Sequence, residues 1–337
     1  MKAATPLLGV LAIVAIAVLG AHAHASLLVL AVIVPYAAFA VFLVGFCYRV
    51  ARWAWAPVPF RIPTTCGQQK SLPWIKPASL DNPSTRWGAL RRMAMEIFLF
   101  RSLFRDNRAR LHDQRLVLAE DRYLWLGALA FHWSLLVILL RHLRLFLQPV
   151  PDFFSVIEAA DGAFDVGIPA LYISDVVILA ALLYLTVRRF RNPLVRCISL
   201  PIDYLALFLL LGIVSSGLLM RFVIRVDVVA FKQFALGLAV FHPSAPSAPS
   251  PIFLIHLLLV SFLAAYFPFS KLMHLGGVFL SPTRNLANNN RSQRHVNPWN
   301  HPVKTHSYAE WENEFQDKLK AANLPLETED AGKIAVD

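Results

Sequence analysis

Cysteine is scarce: three in 337 residues, at Cys47, Cys66 and Cys197. None forms a CxxC pair, so the spacing of a zinc or iron–sulfur centre built from this chain alone is missing. All three fall on or near the predicted cytoplasmic side, where disulfides do not persist. Charge is scarce as well. Asp, Glu, Lys and Arg make up 16% of the chain, against about 25% in an ordinary soluble domain. With a hydrophobic fraction of 57% and a mean hydropathy of +0.54, this excludes a soluble globular domain and points to a helical bundle in a membrane. The short alternating segments of a membrane β-barrel are also missing. Acidic residues are outnumbered 21 to 32, for a net charge of +11. The basic residues sit in loops between apolar segments, as membrane topology requires, which argues against a nucleic-acid surface.

What is present is a series of apolar runs. Pro6–Gly20 and Ser26–Tyr48 flank the turn AHAHA. The first run has the features of a cleavable signal peptide, but the second follows at once, and an uncleaved helical hairpin is the favoured reading. Further runs cover Tyr123–Leu147, Ile168–Val187, Ile202–Ile224 and Pro251–Leu275, each with the ~20 residues that cross a bilayer core. The expected fold is an all-α membrane protein, a six-helix transmembrane bundle, or five helices if the first is removed. Its expected organisation is an N-terminal hairpin (1–48), a basic loop (49–122), a four-helix core (123–280) and a tail (281–337).

Orientation follows from loop charge. Arg49–Arg122 holds fourteen Lys and Arg; Gln148–Gly167 holds none, but carries Asp152, Glu158, Asp161 and Asp165. Arg188–Arg196 is basic again. The large loop, Arg188–Arg196 and the tail therefore face the cytoplasm across the cell's inner membrane. Pro243–Pro251, PSAPSAPSP, reads as an extended linker on the outer side. Trp311–Lys320, WENEFQDKLK, reads as a short amphipathic helix, suited to a cytoplasmic partner or to a loosely ordered tail. TTCGQQKSLPW around Cys66 reads as a docking surface or as a loop folded on the bundle.

Four histidines lie inside the apolar runs. His256 and His274 are eighteen residues apart, five turns and about 27 Å along a continuous helix, so they share a face. His132 and His142 are ten apart, a rise of about 15 Å. Their helices run antiparallel, which pairs His142 with His256 near the outer surface and His132 with His274 near the inner one. A single intramembrane histidine often does no more than hydrogen-bond a neighbouring helix. Two pairs at matching depths fit an iron porphyrin between each pair, every imidazole offering one nitrogen to iron. The other N–H would go to a carbonyl one turn back, or to Ser270 for His274. Arg141 and Arg144 flank His142, fitting haem propionates as bidentate donors or serving as snorkelling anchors. Asp175, in YISDVVIL, is an intramembrane carboxylate, suited to proton transfer with Tyr172 nearby, or to an ion pair with Arg141 or Arg144. Asp203 at the inner end of its run is expected to cap or orient its helix.

The histidine pairs and FPFSKLMH resemble the di-haem cytochrome b (gamma) subunits of respiratory nitrate reductases over Tyr123–Gly277. RIPTTCGQQKSLPWIKP, RMAMEIFLFRSLFRDN and SPTRNLANNNRSQRHVNPWN resemble the M subunits of the Dsr electron-transport complexes of sulfate reducers and sulfur oxidisers, over nearly the whole chain. The additional N-terminal span departs from the five-helix nitrate reductase pattern, as it does in M subunits. The resemblance implies two haems b, an exchangeable quinone such as menaquinone near the outer haem, and a cytoplasmic iron–sulfur K subunit similar to heterodisulfide reductase catalytic subunits. It also implies a periplasmic multihaem cytochrome c, a second iron–sulfur protein, another membrane subunit and, indirectly, a sulfur-carrier protein. The alternatives are a cytochrome b of another quinone-linked reductase, of nitrate or heterodisulfide type, and a haem-free anchor using its histidines for packing or proton relay.

Overall fold

The computed structural model describes residues 2–56, 67–104, 108–112, 115–119, 121–162, 170–243, 250–282, 284–291 and 304–327. Cys66, most of the Pro243–Pro251 linker, the start of the expected Ile168–Val187 run and the RSQRHVNPWN end of the tail motif lie outside these residues, apart from Arg291. The chain divides into two compact units, one holding the described residues up to 291 and the other those from 304 onward.

Among the described residues of the first unit, five helices are long and apolar enough to cross a membrane: α1 (Ala4–Ala21), α2 (Ser26–Ala54), Arg122–Phe146, Pro201–Val223 and Pro251–Phe269. The chain is a multi-pass membrane protein. Helix α3 (Arg86–Leu99) lies between α2 and α4 (Arg122–Leu143), and α5 (Phe153–Asp161) follows α4. The expected sixth run forms α6 (Ile173–Arg191), whose first turn holds Asp175 and whose last holds Arg188, Arg189 and Arg191; these charges keep it out of the count of five. Helix α7 (Pro201–Leu218) passes into a π-helical turn, Leu219–Val223.

The bundle is all-helical as expected, with one short antiparallel hairpin, β1 (Arg108–His112) and β2 (Arg115–Ala119), inside the basic segment. One expectation needs correction. The run Pro251–Leu275 is not one helix. Helix α9 (Pro251–Tyr266) ends before a 3-10 turn at Phe267–Phe269, extended backbone at Ser270 and a second 3-10 turn at Lys271–Met273. Pro268 lacks an N–H, and its ring restricts the residue before it, so the α-helical ladder cannot run through. Gly45 of α2 accommodates this break: a Cβ there would lie 2.7 Å from the Pro268 ring.

A helix between α7 and α9 had no counterpart in the sequence reading, which treated residues 225–250 as a loop. Helix α8 (Val228–Ala239) starts at Asp227, whose carboxylate accepts from the N–H groups of Val229 (2.9 Å) and Ala230 (3.1 Å). Its twelve residues are too few to cross the roughly 30 Å hydrocarbon core. It packs on the turn after α4 and stacks Phe231 on Phe253 at 3.9 Å.

Helix α4 packs along α6, α6 along α7, α7 along α9 and α9 along α2, with α1 against both α7 and α9. Ile178, Leu182, Leu209, Leu254 and Leu259 are fully buried between them. Leu8, Leu19 and Val44 turn 65%, 71% and 69% of their surface outward, the arrangement of helices whose surroundings are lipid. Ion pairs gather one end of the bundle. Arg188 reaches Asp121, the N-cap of α4, at 2.9 Å. Asp203 receives Lys271 at 2.8 Å and the Leu200 N–H at 3.0 Å, the capping role its position suggested. Lys2 donates to the Cys197 carbonyl at 3.1 Å, so the chain begins at this same end.

In the second unit, α10 (Tyr308–Ala321) contains the expected amphipathic segment. Ser307 and Glu310 form a reciprocal capping box at its start, satisfying two backbone donors.

Candidate functional site

Of the four intramembrane histidines, one pair is seen in direct ring contact. His132 of α4 and His274, in the first turn beyond the break, have ring centroids 5.9 Å apart, nearly perpendicular at 79°. His142 lies one residue short of the α4 terminus, and His256 lies in the second turn of α9. His274 reaches His132 although α9 does not extend to it, so the continuous helix face is not what brings the pair together. Helices α4 and α9 are not among the pairs that pack along their lengths within the described residues.

Every one of the four rings engages its Nδ1 with a main-chain carbonyl. His132 reaches Ala128 O and His142 reaches Ile138 O, each at 2.7 Å and one turn back. His274 reaches Lys271 O at 2.8 Å. A carbonyl only accepts, so each Nδ1 carries the proton and each Nε2 is left with a free lone pair. Two partners differ from expectation. Ser270 does not serve His274; its hydroxyl donates to Phe267 O and accepts from the Leu272 N–H. His256 does not use its own helix, but approaches Ile213 O at 3.1 Å and the Ser216 hydroxyl at 2.9 Å, both on α7. Gly217 of α7 also lies against this ring: a Cβ there would sit 3.4 Å from it, an ordinary contact. Among the described residues no group of three or more His, Cys, Asp or Glu could hold a metal ion, so each imidazole pair stands by itself.

A charge network occupies the end of the bundle near His142 and His256. Arg141 contacts Asp161 at 2.7 Å, the Ser174 hydroxyl at 3.1 Å and Asp175 at 3.4 Å. Asp161 also accepts from the Ser174 N–H at 2.8 Å and hydroxyl at 2.6 Å. Asp161, Ser174 and Asp175 are buried. The Tyr172 ring lies between two guanidinium groups, with Arg141 at 3.4 Å and Arg221 at 4.3 Å from its centroid. Arg144 pairs with Glu158. Of the partners considered for Asp175, Arg141 is the one it meets. Its Oδ2 is buried with no hydrogen-bond partner, as is Nε of Arg221.

Asp161 and Arg221 were missed as site residues. Arg221 carried a signal, because a cation inside the apolar run LLMRFV is a functional candidate by default. Phe100 was missed too. It caps α3 in the left-handed region, at φ 49°, and sets its ring 4.9 Å from His132. Trp125 and Trp133 of α4 hold that segment in place by donating to Leu99 O at 2.7 Å and Phe98 O at 3.1 Å.

Imidazoles among apolar helices and a buried charge network thus lie within a multi-pass membrane protein. Residues 85–294 match the family described as nitrate reductase gamma subunit. The chain belongs to that family. It is 49% identical over 278 residues to the Hdr-like menaquinol oxidoreductase cytochrome b-like subunit of Archaeoglobus fulgidus, covering 80% of this chain and 82% of that one. The protein of the same description from Archaeoglobus profundus is 45% identical, with 79% and 81% covered. The nitrate reductase gamma chain of Bacillus subtilis is 27% identical over 203 residues, 56% of this chain and 89% of that one.

Proposed function

We propose that the chain is the di-haem cytochrome b subunit of a quinone-linked oxidoreductase in the inner membrane, passing electrons between a menaquinone pool and a cytoplasmic partner. The observation that carries this is the facing couple His132 and His274, with the Nδ1 of all four histidines engaged by main-chain carbonyls so that each Nε2 is left to bind a metal. Two imidazoles on opposite sides of one metal, each about 2 Å from it, have ring centroids about 6 Å apart; His132 and His274 stand at 5.9 Å. His132 and His274 therefore fit an inner haem b, which they would hold between them, and His142 and His256 would hold an outer one. Bound haem supplies one-electron transfer.

The chain's own residues supply the rest. All six long helices cross the bilayer in this reading, α6 included, with the basic segment and tail in the cytoplasm. Arg144 is the better candidate for an outer-haem propionate, because the Arg141 guanidinium is engaged by two carboxylates of the chain. Quinol binds beside Tyr172, and the unpartnered Oδ2 of Asp175 accepts its proton. The names of the Archaeoglobus relatives favour a menaquinol-linked complex with a heterodisulfide-reductase-like partner over a nitrate reductase. The partner is then a cytoplasmic iron–sulfur subunit of K type, docking near the inner pair and the Cys66 motif. The complex serves dissimilatory sulfur metabolism, with a periplasmic multihaem cytochrome c, an iron–sulfur protein and a second membrane subunit, and a sulfur-carrier protein as the partner's substrate.

Purified chain should contain two low-spin six-coordinate haems b. His142→Ala or His256→Ala should remove one haem, and His132→Ala or His274→Ala the other. A wild-type chain free of haem would establish the anchor reading in its place.

A further inference from the structure

The four histidines are not held alike. His132, His142 and His274 each rest on a carbonyl of their own segment, three or four residues back. His256 rests on a neighbouring helix, with Ile213 O at 3.1 Å and Ser216 Oγ at 2.9 Å from its Nδ1. The direction of these bonds follows from the acceptors. Ile213 O only accepts, so Nδ1 is the donor. The Ser216 hydroxyl donates its own proton to the same carbonyl at 3.0 Å, leaving a lone pair toward His256. Nδ1–H is therefore shared between two acceptors, where the other three rings each have one. Ser216 is buried, so water does not replace it.

We infer that Ser216 is a positioning residue that sets the electron donation of His256 and so gives the outer haem a reduction potential distinct from the inner one. This rests on the proposed ligation by His256. A second acceptor on Nδ1–H raises the basicity of the ligating nitrogen, and a more basic ligand favours the ferric state and lowers the potential. The same helix continues five residues on to Arg221, one of the two guanidinium groups on Tyr172. The site that tunes His256 and the proposed quinone pocket thus share one stretch of α7 and its π-helical end.

The test is a spectroelectrochemical titration of wild type, Ser216→Ala and Ser216→Thr in the purified chain, with electron paramagnetic resonance of the ferric haems. Ser216→Ala should raise the potential of one haem only, by a roughly threefold change in its reduced-to-oxidised ratio at fixed ambient potential, about 30 mV. The low-spin ferric signal of that haem should move, and His256→Ala should identify it as the outer haem. Ser216→Thr keeps the hydroxyl and should keep the wild-type potential. Loss of the outer haem in Ser216→Ala with retention in Ser216→Thr would also support the role. Unchanged potentials and signals in Ser216→Ala, or an equal shift in Ser216→Thr, would overturn this inference while leaving the ligation intact. If His256→Ala keeps both haems, the ligation reading fails and this inference fails with it.

Discussion

Replacing Arg141 should expose how much the His142 end of the bundle depends on one guanidinium. Its side chain is 11% exposed, facing Asp161 at 6% and Asp175 at 11%. In Arg141→Met both carboxylates stay buried and their shared cation is gone. Breaking a buried ion pair from one side costs about 3–5 kcal/mol. Two features favour the lower end. Asp161 keeps both bonds from Ser174, and Arg221 remains near enough to act on Asp175. A loss of about 3 kcal/mol lowers the melting temperature by roughly 6–12 °C on the scale of soluble domains of 150–250 residues. The assay is fluorescence-detected size-exclusion chromatography of the detergent-solubilised chain after heating. Arg141→Lys should fall between wild type and Arg141→Met, since a lysine keeps the charge and loses the planar fork. Adding Asp161→Asn and Asp175→Asn to Arg141→Met should recover much of the loss, because the stranded charges are then removed. An unchanged melting temperature in Arg141→Met, or a triple variant weaker than the single one, would refute the reasoning.

Asp175→Asn should slow quinol-driven haem reduction while leaving both haem spectra intact; a normal rate would make Asp175 structural only. Cys47 and Cys197 are exposed, and membrane-impermeant thiol reagents applied to intact cells should label neither, whereas a label on Cys197 would invert the topology. Gly45→Ala should destabilise the bundle by about 1–3 kcal/mol, since overpacking at a tight contact costs that much, read as a lower melting temperature than that of Gly9→Ala, where a Cβ meets nothing within 4 Å.

The parts of the fold legible in the sequence were those written in long apolar runs. α1, α2, α4 and α7 lie within a few residues of their expected limits, because bilayer thickness sets their length. The antiparallel logic of α4 and α9 also placed His132 opposite His274, whose rings lie 5.9 Å apart. What escaped was short or irregular. Helix α8 carries Lys232 and Gln233 within twelve residues and is too brief for a hydropathy signal. The break after Tyr266 hung on one proline inside a run that otherwise reads as hydrocarbon. The Nδ1 contacts of His256 come from α7, forty and more residues away in the chain, and no spacing rule reports them. The role of Asp161 was hidden because it sits in the segment between two membrane helices, whose acidity already had an explanation in topology.

The interruption at Phe267–Ser270 has a mechanical consequence. His132 and His142 ride on one unbroken helix, a stiff post that fixes their separation. His256 and His274 have no such post between them, since each is borne by a separate piece of backbone. The separation of His256 from His274 is therefore set not by one rod but by how each piece packs on its own neighbours, His256 against α7 and the Pro268 turn against Gly45 of α2.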